Sequence, residues 1–286
     1  SISLNHIDLI SYSSALNFFK IIQSKRGAIP EKSETHKNYV FIAGLGRSGT
    51  TSLGRLLNIS SLIAMYIELH DPYRIDGYCQ SDFSGELVSR NLKSHPRRKV
   101  NSEILTKSSS AKLIGYKRPN FQFCAESTFD NLGIENAKCI FIDRSLVDIC
   151  RSSHKRSENP NDRWSLEMGV EHTILIYNAS CRQIIHLHDN RPDIFSSFLF
   201  PTYEDVFAST KKALELFNFC DVVLSPEEIK DLDSFIENSQ QYLSKKFNPT
   251  DSLEIHIRKS ICKYLDHSAH ERFCATTGNH RNYLSY

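Results

Sequence analysis

The sequence has no run of about 18 consecutive apolar residues, the length that a membrane-spanning helix requires. Its first residues also lack a basic segment followed by an unbroken apolar stretch, which is the pattern of a secretory signal peptide. The sequence therefore gives no reason to expect a membrane partner, and the expected location is cytoplasmic.

The eight cysteines are far apart, and no two of them form a Cys-x-x-Cys pair. This spacing argues against a zinc site and favours buried free thiols over a disulfide framework. Acidic and basic residues are interspersed, with 35 Lys and Arg against 33 Asp and Glu. Such a balance gives no reason to expect nucleic acid as a partner, although it permits a local basic cleft for a polyanionic ligand.

A length of 286 residues fits one α/β domain of roughly 250 residues with a terminal extension. Residues 1–38 are predicted to form an N-terminal helix and a linker. In this segment apolar residues recur at helical spacing from Ser14 to Lys25, and turn-forming polar residues follow. Residues 39–286 are predicted to form a single domain.

Short apolar runs alternate with helical patterns along this domain. The runs predict strands at Tyr39–Ala43, Leu62–Ile67, Leu113–Tyr116, Cys139–Ile142 and Phe198–Phe200, and the longest helices are predicted at Trp164–His188, Phe207–Phe217 and Pro226–Asn238. This alternation is typical of βαβ units, so we predict an α/β fold with three αβα layers around a central, mostly parallel sheet. Ligands of such sheets lie at the carboxyl ends of the strands.

A glycine-rich segment, Gly44-Leu-Gly-Arg-Ser-Gly-Thr-Thr51, lies between the first predicted strand and a predicted helix. Its three glycines can adopt positive φ angles and let backbone N–H groups close around an anion. Hydroxyl side chains and the positive end of the following helix add further donors. We therefore predict an anion cradle formed by Arg47, Ser48, Gly49, Thr50 and Thr51.

The segment differs from the P-loop of nucleoside-triphosphate enzymes at the residue that carries the charge. In the pattern GxxxxGK[ST], a lysine follows the second glycine. Here Thr50 stands at that position, and the cation lies inside the loop, at Arg47. A kinase would lose its main charged contact with the phosphates, so a P-loop-type kinase of nucleotides or small molecules is disfavoured but stays as an alternative.

This segment, which has the pattern Gly-x-x-Arg-Ser-Gly-Thr-Thr between a predicted strand and a predicted helix, resembles a known phosphate-binding loop. It is similar to the 5′-phosphosulfate loop of the sulfotransferases that use 3′-phosphoadenosine 5′-phosphosulfate (PAPS). The resemblance extends over residues 39–203, and its motif spacing is most similar to the tyrosylprotein-sulfotransferase-like and bacterial branch. It implies a P-loop-type fold, PAPS as co-substrate, 3′-phosphoadenosine 5′-phosphate (PAP) as product, and no metal. It also implies that Arg47 contacts the 5′-phosphate and the departing sulfuryl group.

The resemblance implies a second anion site, for the 3′-phosphate. In the family an arginine after a later strand is followed by a serine eight residues on, and Arg144 and Ser152 match this spacing. Arg144 would lie at the end of the strand and Ser152 about two helical turns later, so both could converge on one phosphate. Arg156, one turn further along the same face, resembles a third phosphate ligand of the tyrosylprotein branch. The Arg-x7-Ser pattern alone is common by chance, and its weight comes from following the first loop in order.

The segment Phe200-Pro-Thr-Tyr-Glu-Asp-Val resembles one that follows a late strand in many sulfotransferases and brings a tyrosine close to the nucleotide. The match is partial, because Thr202 stands where the family has a basic residue. Tyr203 is therefore predicted to bind the nucleotide, with an ordinary hydrogen-bonding core tyrosine as the alternative.

Sulfuryl transfer needs a base for the acceptor and positive charge for the leaving phosphate. In the tyrosylprotein-like branch the base is a glutamate 21 residues after the loop cation, and Glu68 occupies that position. Glu68 is the predicted general base, with His70 as the second candidate. Lys117, in Gly-Tyr-Lys-Arg-Pro, resembles the lysine that assists the leaving group, and a solvent-exposed Lys-Arg pair before a proline is the alternative.

The sequence encodes the acceptor weakly. We expect a hydroxyl or amine of a small molecule, such as a metabolite, a natural product or a sugar. A protein that binds PAP without catalysing transfer is a further alternative.

Overall fold

The computed structural model of the protein describes residues 38–70, 74, 76–93, 98–161, 169–243 and 252–279. The N-terminal helix and linker predicted for residues 1–38 lie outside the described residues, apart from Asn38.

Five strands form one parallel sheet. They are β1 Asn38–Ala43, β2 Ile63–Ile67, β3 Leu113–Lys117, β4 Ala137–Phe141 and β5 Phe198–Leu199. Their order across the sheet is β2-β3-β1-β4-β5, and every neighbouring pair is parallel. All five predicted strands are confirmed, with ends that differ by one or two residues. The carboxyl ends of the strands therefore share one edge, and β1, which precedes the glycine-rich loop, lies between β3 and β4.

Both faces of the sheet are buried. Alternate residues such as Phe41 and Tyr66 belong to one apolar cluster, and the residues between them, such as Ile42 and Met65, belong to another. Strands that are apolar on both faces are typical of a sheet covered by helices on both sides. The predicted three-layer αβα fold is confirmed.

The helices of the described residues divide between these two clusters. On the side of Ile42 lie α1 Thr50–Leu57, α8 Tyr203–Val206, α9 Thr210–Phe219 and α10 Pro226–Leu243. On the side of Phe41 lie α2 Gly85–Leu92, α3 Arg98–Ser108, α4 Ala125–Leu132, α5 Leu146–Ser157, α6 Val170–Asn190, α7 Pro192–Phe195, α11 Ser252–Tyr264 and α12 His267–Thr277. Short 3-10 helices occupy Gln80–Phe83, Phe121–Phe123 and Ile134–Asn136.

The predicted helix at 207–217 begins later than expected. The hydroxyl of Ser209 accepts a hydrogen bond from the N–H of Lys212, so Ser209 caps α9 and sets its first residue at Thr210. The four residues Tyr203–Val206 form a separate short helix, which Thr202 caps. The helix predicted at 164–188 is described from Val170 onward, and residues 162–168 lie outside the described part.

The cysteines are all free thiols, as expected from their spacing. Six are buried, whereas Cys79 is half-buried and Cys262 is exposed. Within the described ranges no helix has the length and apolar character needed to cross a bilayer.

Candidate active site

The glycine-rich loop turns sharply between β1 and α1. Gly44 has φ +136°, and a β-carbon there would lie 2.6 Å from the carbonyl oxygen of Ile142, at the end of β4. Gly49 has φ +101° and is the residue before the first turn of α1. A side chain at either position would force the turn open, so glycine is what lets the loop close against the neighbouring strand end.

The donors of the loop divide into two groups. Ser48 is fully buried and serves the turn itself, since both its backbone N–H and its hydroxyl donate to the carbonyl of Leu45. Thr50 and Thr51 lie in the first turn of α1, whose N–H groups have no partner within the helix. Those N–H groups and the helix dipole make the start of α1 the anion-attracting part of the loop.

Two arginines and a serine from two segments of the chain meet at the loop: Arg47 follows β1, whereas Arg144 follows β4 and Ser152 lies in α5. Arg47 Nε donates to the hydroxyl of Ser152 at 2.9 Å, although 105 residues separate them in the chain. Arg144 Nη1 donates to the carbonyl oxygen of Arg47 at 3.3 Å. The two anion sites predicted from the sequence therefore adjoin each other at the carboxyl edge of the sheet.

Tyr203 lies between the loop and Arg144. A β-carbon at Gly49 would lie 2.3 Å from the ring of Tyr203, and the guanidinium carbon of Arg144 lies 4.7 Å from the centre of that ring. The backbone N–H of Tyr203 donates to the carbonyl of Asp143 at 2.7 Å, which ties the segment after β5 to the end of β4. Tyr203 thus lies beside the glycine-rich loop, and its role in binding a nucleotide stays a prediction.

The Tyr203 hydroxyl stays protonated at neutral pH. Burial raises its pKa above the usual 10.0, and the positive charge of Arg144 opposes part of that rise. The ring therefore offers a neutral phenol and an aromatic face to a ligand.

Arg156 lies on α5, four residues and about one turn beyond Ser152. The structure thus puts both residues on the same helix, with Ser152 nearer the loop. A role for Arg156 in binding phosphate stays a prediction.

Glu68 and Lys117 form an ion pair at the ends of β2 and β3. The ammonium group of Lys117 bonds to Oε1 of Glu68. The lysine side chain is 1% exposed and the carboxylate side chain 30% exposed, so only the carboxylate is open to a reactant. Lys117 is therefore a buried, paired side chain, which contradicts the alternative of a solvent-exposed Lys-Arg pair.

Left-handed backbone conformations concentrate at this edge. Four non-glycine residues of the described ranges have positive φ, and three of them follow strands of the sheet: Arg47, Glu68 and Asn120. The conformation costs a residue with a side chain roughly 1–2 kcal/mol. Such strain is typical of sites where the side-chain direction matters for function.

His70, the second candidate base, is half-buried among aromatic rings. Its backbone N–H donates to the hydroxyl of Tyr116 at 3.1 Å, and its Nδ1 lies 3.1 Å from the amide nitrogen of Asn91. The ring centre lies 5.3 Å from that of Tyr116. These contacts make His70 part of an aromatic cluster with Tyr78 and Tyr116.

A cavity of about 420 Å³ opens beside Arg144 and Tyr203. The other residues that line it are Ser52 and Arg55 of α1, and Phe235, Asn238 and Ser239 of α10. None of these five residues was predicted from the sequence as part of the site. Ser52 and Arg55 could have been found from their position one turn into the helix after the loop, whereas no local pattern marks the residues of α10.

The Nε atom of Arg144 is a further donor at this site. Among the described residues none accepts a hydrogen bond from Arg144 Nε, although this atom is buried. A buried guanidinium nitrogen without an acceptor is costly, so the arrangement around Arg144 is suited to an anion that supplies one.

No family model and no curated protein matches the sequence. Solved structures do match. The sulfotransferase of Alicyclobacillus acidocaldarius has a TM-score of 0.55 and 15% identity, over 87% of this chain and 99% of that one. A Mycobacterium avium sulfotransferase has a TM-score of 0.48 and 10% identity, over 89% and 80% of the two chains. A mouse sulfotransferase in complex with PAP has a TM-score of 0.44 and 13% identity, over 87% and 86%. The comparison with the Alicyclobacillus protein shows that this chain has the sulfotransferase fold.

Proposed function

We propose that the protein is a sulfotransferase that moves a sulfuryl group from PAPS to a hydroxyl or amine of a small molecule. The observation that carries this proposal is the meeting of Arg47, Ser152 and Arg144 at one edge of the sheet. In PAP both phosphates are attached to one ribose, at C3′ and C5′, and a cleft with two adjoining cation sites matches that pattern.

The cavity beside Arg144 supports an adenine base next to the two sites. Aromatic faces of Tyr203 and Phe235 suit the flat surface of a purine, and the side chains of Asn238 and Ser239 can bond its polar edge. In this proposal Arg144 and Ser152 bind the 3′-phosphate, with Arg156 as a further ligand. The loop residues from Arg47 to Thr51 surround the 5′-phosphate, where Ser48 acts by shaping the turn.

The chemistry of transfer then falls to three side chains. PAPS, when bound, supplies the sulfuryl group and a phosphate that can leave. Glu68 Oε takes the proton from the hydroxyl or amine of the acceptor. Arg47 supplies positive charge to the phosphate oxygen as it becomes negative, and the buried Lys117 adds positive charge from within the protein. The ion pair between Lys117 and Glu68 holds the carboxylate at the ends of β2 and β3.

The partial exposure of Glu68 supports a small acceptor. Its side chain is 30% exposed, and His70, two residues further along the chain, packs against Tyr116. A carboxylate recessed in this way is open to a narrow group such as a hydroxyl of a metabolite, a natural product or a sugar. A cytoplasmic location is part of the same proposal.

Calorimetry with PAP, ATP and ATP plus Mg²⁺ tests the binding half of the proposal. We expect PAP to bind without added metal and ATP to bind weakly. Arg144→Ala should weaken PAP binding about 10- to 150-fold, because a hydrogen bond to a charged group contributes about 1.5–3 kcal/mol. Arg90→Ala is the matched control, since Arg90 is exposed on α2 and pairs with Glu86. Equal affinities for PAP in the two variants, or metal-dependent binding of ATP in preference to PAP, would contradict the proposal.

Turnover of PAPS tests the catalytic half. Glu68→Gln should lower the transfer rate about 10²- to 10⁴-fold with little change in PAP affinity, because the loss of a general base slows the chemical step. Strong PAP binding with no transfer to any acceptor in a screen, and no effect of Glu68→Gln, would instead identify a protein that binds PAP without catalysis.

A further inference from the structure

The outer side of β2 is covered by side-chain amides. β2 is the first strand in the order β2-β3-β1-β4-β5, so β3 pairs with only one of its sides. The N–H of Ile67 donates to Oδ1 of Asn101 at 2.9 Å, and Nδ2 of Asn101 donates to the carbonyl of Ile67 at 3.1 Å. Asn101 belongs to α3 and is fully buried. One amide thus makes both of the bonds that a neighbouring strand would make to this residue.

The residue held in this way directly precedes Glu68. On the inner side, the N–H of Glu68 donates to the carbonyl of Lys117 at 3.0 Å. The chain is therefore fixed from the outside at Ile67 and from the inside at Glu68. Between these two anchors Glu68 adopts φ +52°, a conformation that a side-chain-bearing residue keeps only where its surroundings hold it.

We propose that Asn101 is a positioning residue for Glu68. The inference rests on the proposed function, in which Glu68 is the general base. Without the amide, the end of β2 loses its outer anchor and the strained residue can relax towards an ordinary conformation. Its carboxylate then leaves the position fixed by Lys117. A displacement of about 1 Å at a reacting group can lower a rate about 10²-fold.

The same strand contains a matched control. Asn58, at the end of α1, holds Met65 in the same manner, with Met65 N–H donating to its Oδ1 at 2.8 Å and its Nδ2 donating to the Met65 carbonyl at 2.9 Å. Met65 lies two residues before Ile67 and does not adjoin Glu68. Replacing either asparagine by alanine removes two hydrogen bonds from the outer side of β2. Only Asn101, however, bonds to the residue next to Glu68.

The experiment compares Asn101→Ala with Asn58→Ala in three measurements. The first is the rate of PAPS turnover with water, which serves as the simplest hydroxyl acceptor. The second is PAP affinity by calorimetry, and the third is hydrogen exchange of the peptide that contains Glu68. We expect Asn101→Ala to lower the turnover rate about 10- to 100-fold, to leave PAP affinity unchanged, and to speed exchange at Glu68. Asn58→Ala should keep the turnover rate within about threefold of the wild type while losing similar global stability.

The other outcomes distinguish failure of the proposed function from failure of positioning by Asn101. If Glu68→Gln turns over PAPS as fast as the wild type, the proposed function fails. If Glu68→Gln is slow but Asn101→Ala matches the wild type, or both asparagine variants lose the same rate, positioning by Asn101 fails and the proposed function stands. Should Asn101→Ala not fold, Asn101→Gln and Asn58→Gln allow the same comparison, because they keep the amide and displace it by one methylene.

Discussion

The substitution Gly49→Ala tests whether the ring of Tyr203 packs on the glycine-rich loop. A β-carbon at residue 49 would lie 2.3 Å from Cδ2 and 2.5 Å from Cε2 of Tyr203, well inside contact distance. Gly49 also has φ +101°, where residues with a side chain are rare. The change therefore adds backbone strain to a steric clash, and the clash falls on the ring that contacts Arg144.

The two contributions can be estimated separately. A left-handed conformation costs a residue with a β-carbon roughly 1–2 kcal/mol. Overpacking a tight contact costs about 1–3 kcal/mol more. We expect urea denaturation to show that Gly49→Ala loses about 2–5 kcal/mol of unfolding free energy. We also expect weaker PAP binding by calorimetry, because Arg144 must follow the displaced ring.

Two other glycines separate the contributions. Gly278 has φ +74°, but apart from its chain neighbours no described residue has an atom within 4 Å of a β-carbon placed there, so Gly278→Ala reports backbone strain alone. Gly85, the first residue of α2, has neither a positive φ nor a neighbour within 4 Å, so Gly85→Ala should cost little or nothing. In the double variant Gly49→Ala, Tyr203→Ala the clash is absent, and the two changes should be non-additive by about 1–3 kcal/mol.

Two results together would refute packing of the ring on the loop. One is that Gly49→Ala loses no more unfolding free energy than Gly278→Ala, and the other is that the losses of Gly49→Ala and Tyr203→Ala are additive. In that case the ring does not pack on the loop in solution, and its contact with Arg144 loses its support.

Three further predictions concern the helices that pack on α5 and α6. Glu254→Gln should lower the unfolding free energy by about 3–5 kcal/mol in urea denaturation. The reason is that Arg151, whose side chain is 5% exposed, loses the carboxylate that pairs with its charge. A loss below about 1 kcal/mol would mean that the pair is exposed to solvent. Burial lowers the pKa of His270 below 6.5, so this histidine binds a proton more readily in the unfolded chain than in the folded one. The contribution of neutral His270 to the free energy of unfolding is therefore complete above about pH 6.5, and it decreases as the pH falls through that value. Thermal unfolding of His270→Gln should therefore depend less steeply on pH between about 5 and 7 than that of the wild type, and equal slopes would contradict a buried neutral imidazole. Asp266→Ala should lose about 1 kcal/mol, because Asp266 caps α12 by accepting from the N–H of Ala269 at 3.0 Å; Asp266→Asn, which keeps the cap, should lose less.

Much of the site was predictable because its residues directly follow strands. Apolar runs marked the strands, and the residues just beyond them, including Arg47, Glu68 and Arg144, had to lie at the carboxyl edge of a parallel sheet. The contacts between Arg47, Ser152 and Arg144 follow from that placement. The order of the strands did not follow, because periodicity contains no information about which strands are neighbours.

The supporting residues were not predictable from local patterns. Asn101 is a polar residue in a helix, and its function depends on a contact with Ile67 across 34 residues of chain. Phe235 and Asn238 line the cavity only because α10 packs beside α1 in the folded chain. Helices α11 and α12 were also not predicted, although Ile257 and Ile261 have the spacing of a buried helical face.

The amides on β2 also bear on association between molecules. An outer strand with unbonded peptide groups can accept a strand from a second chain, and this is a common start of aggregation. At Met65 and Ile67 those groups are already bonded to Asn58 and Asn101. A second chain could extend the sheet here only by displacing both asparagines, so the side chains that complete this strand also shield it from intermolecular pairing.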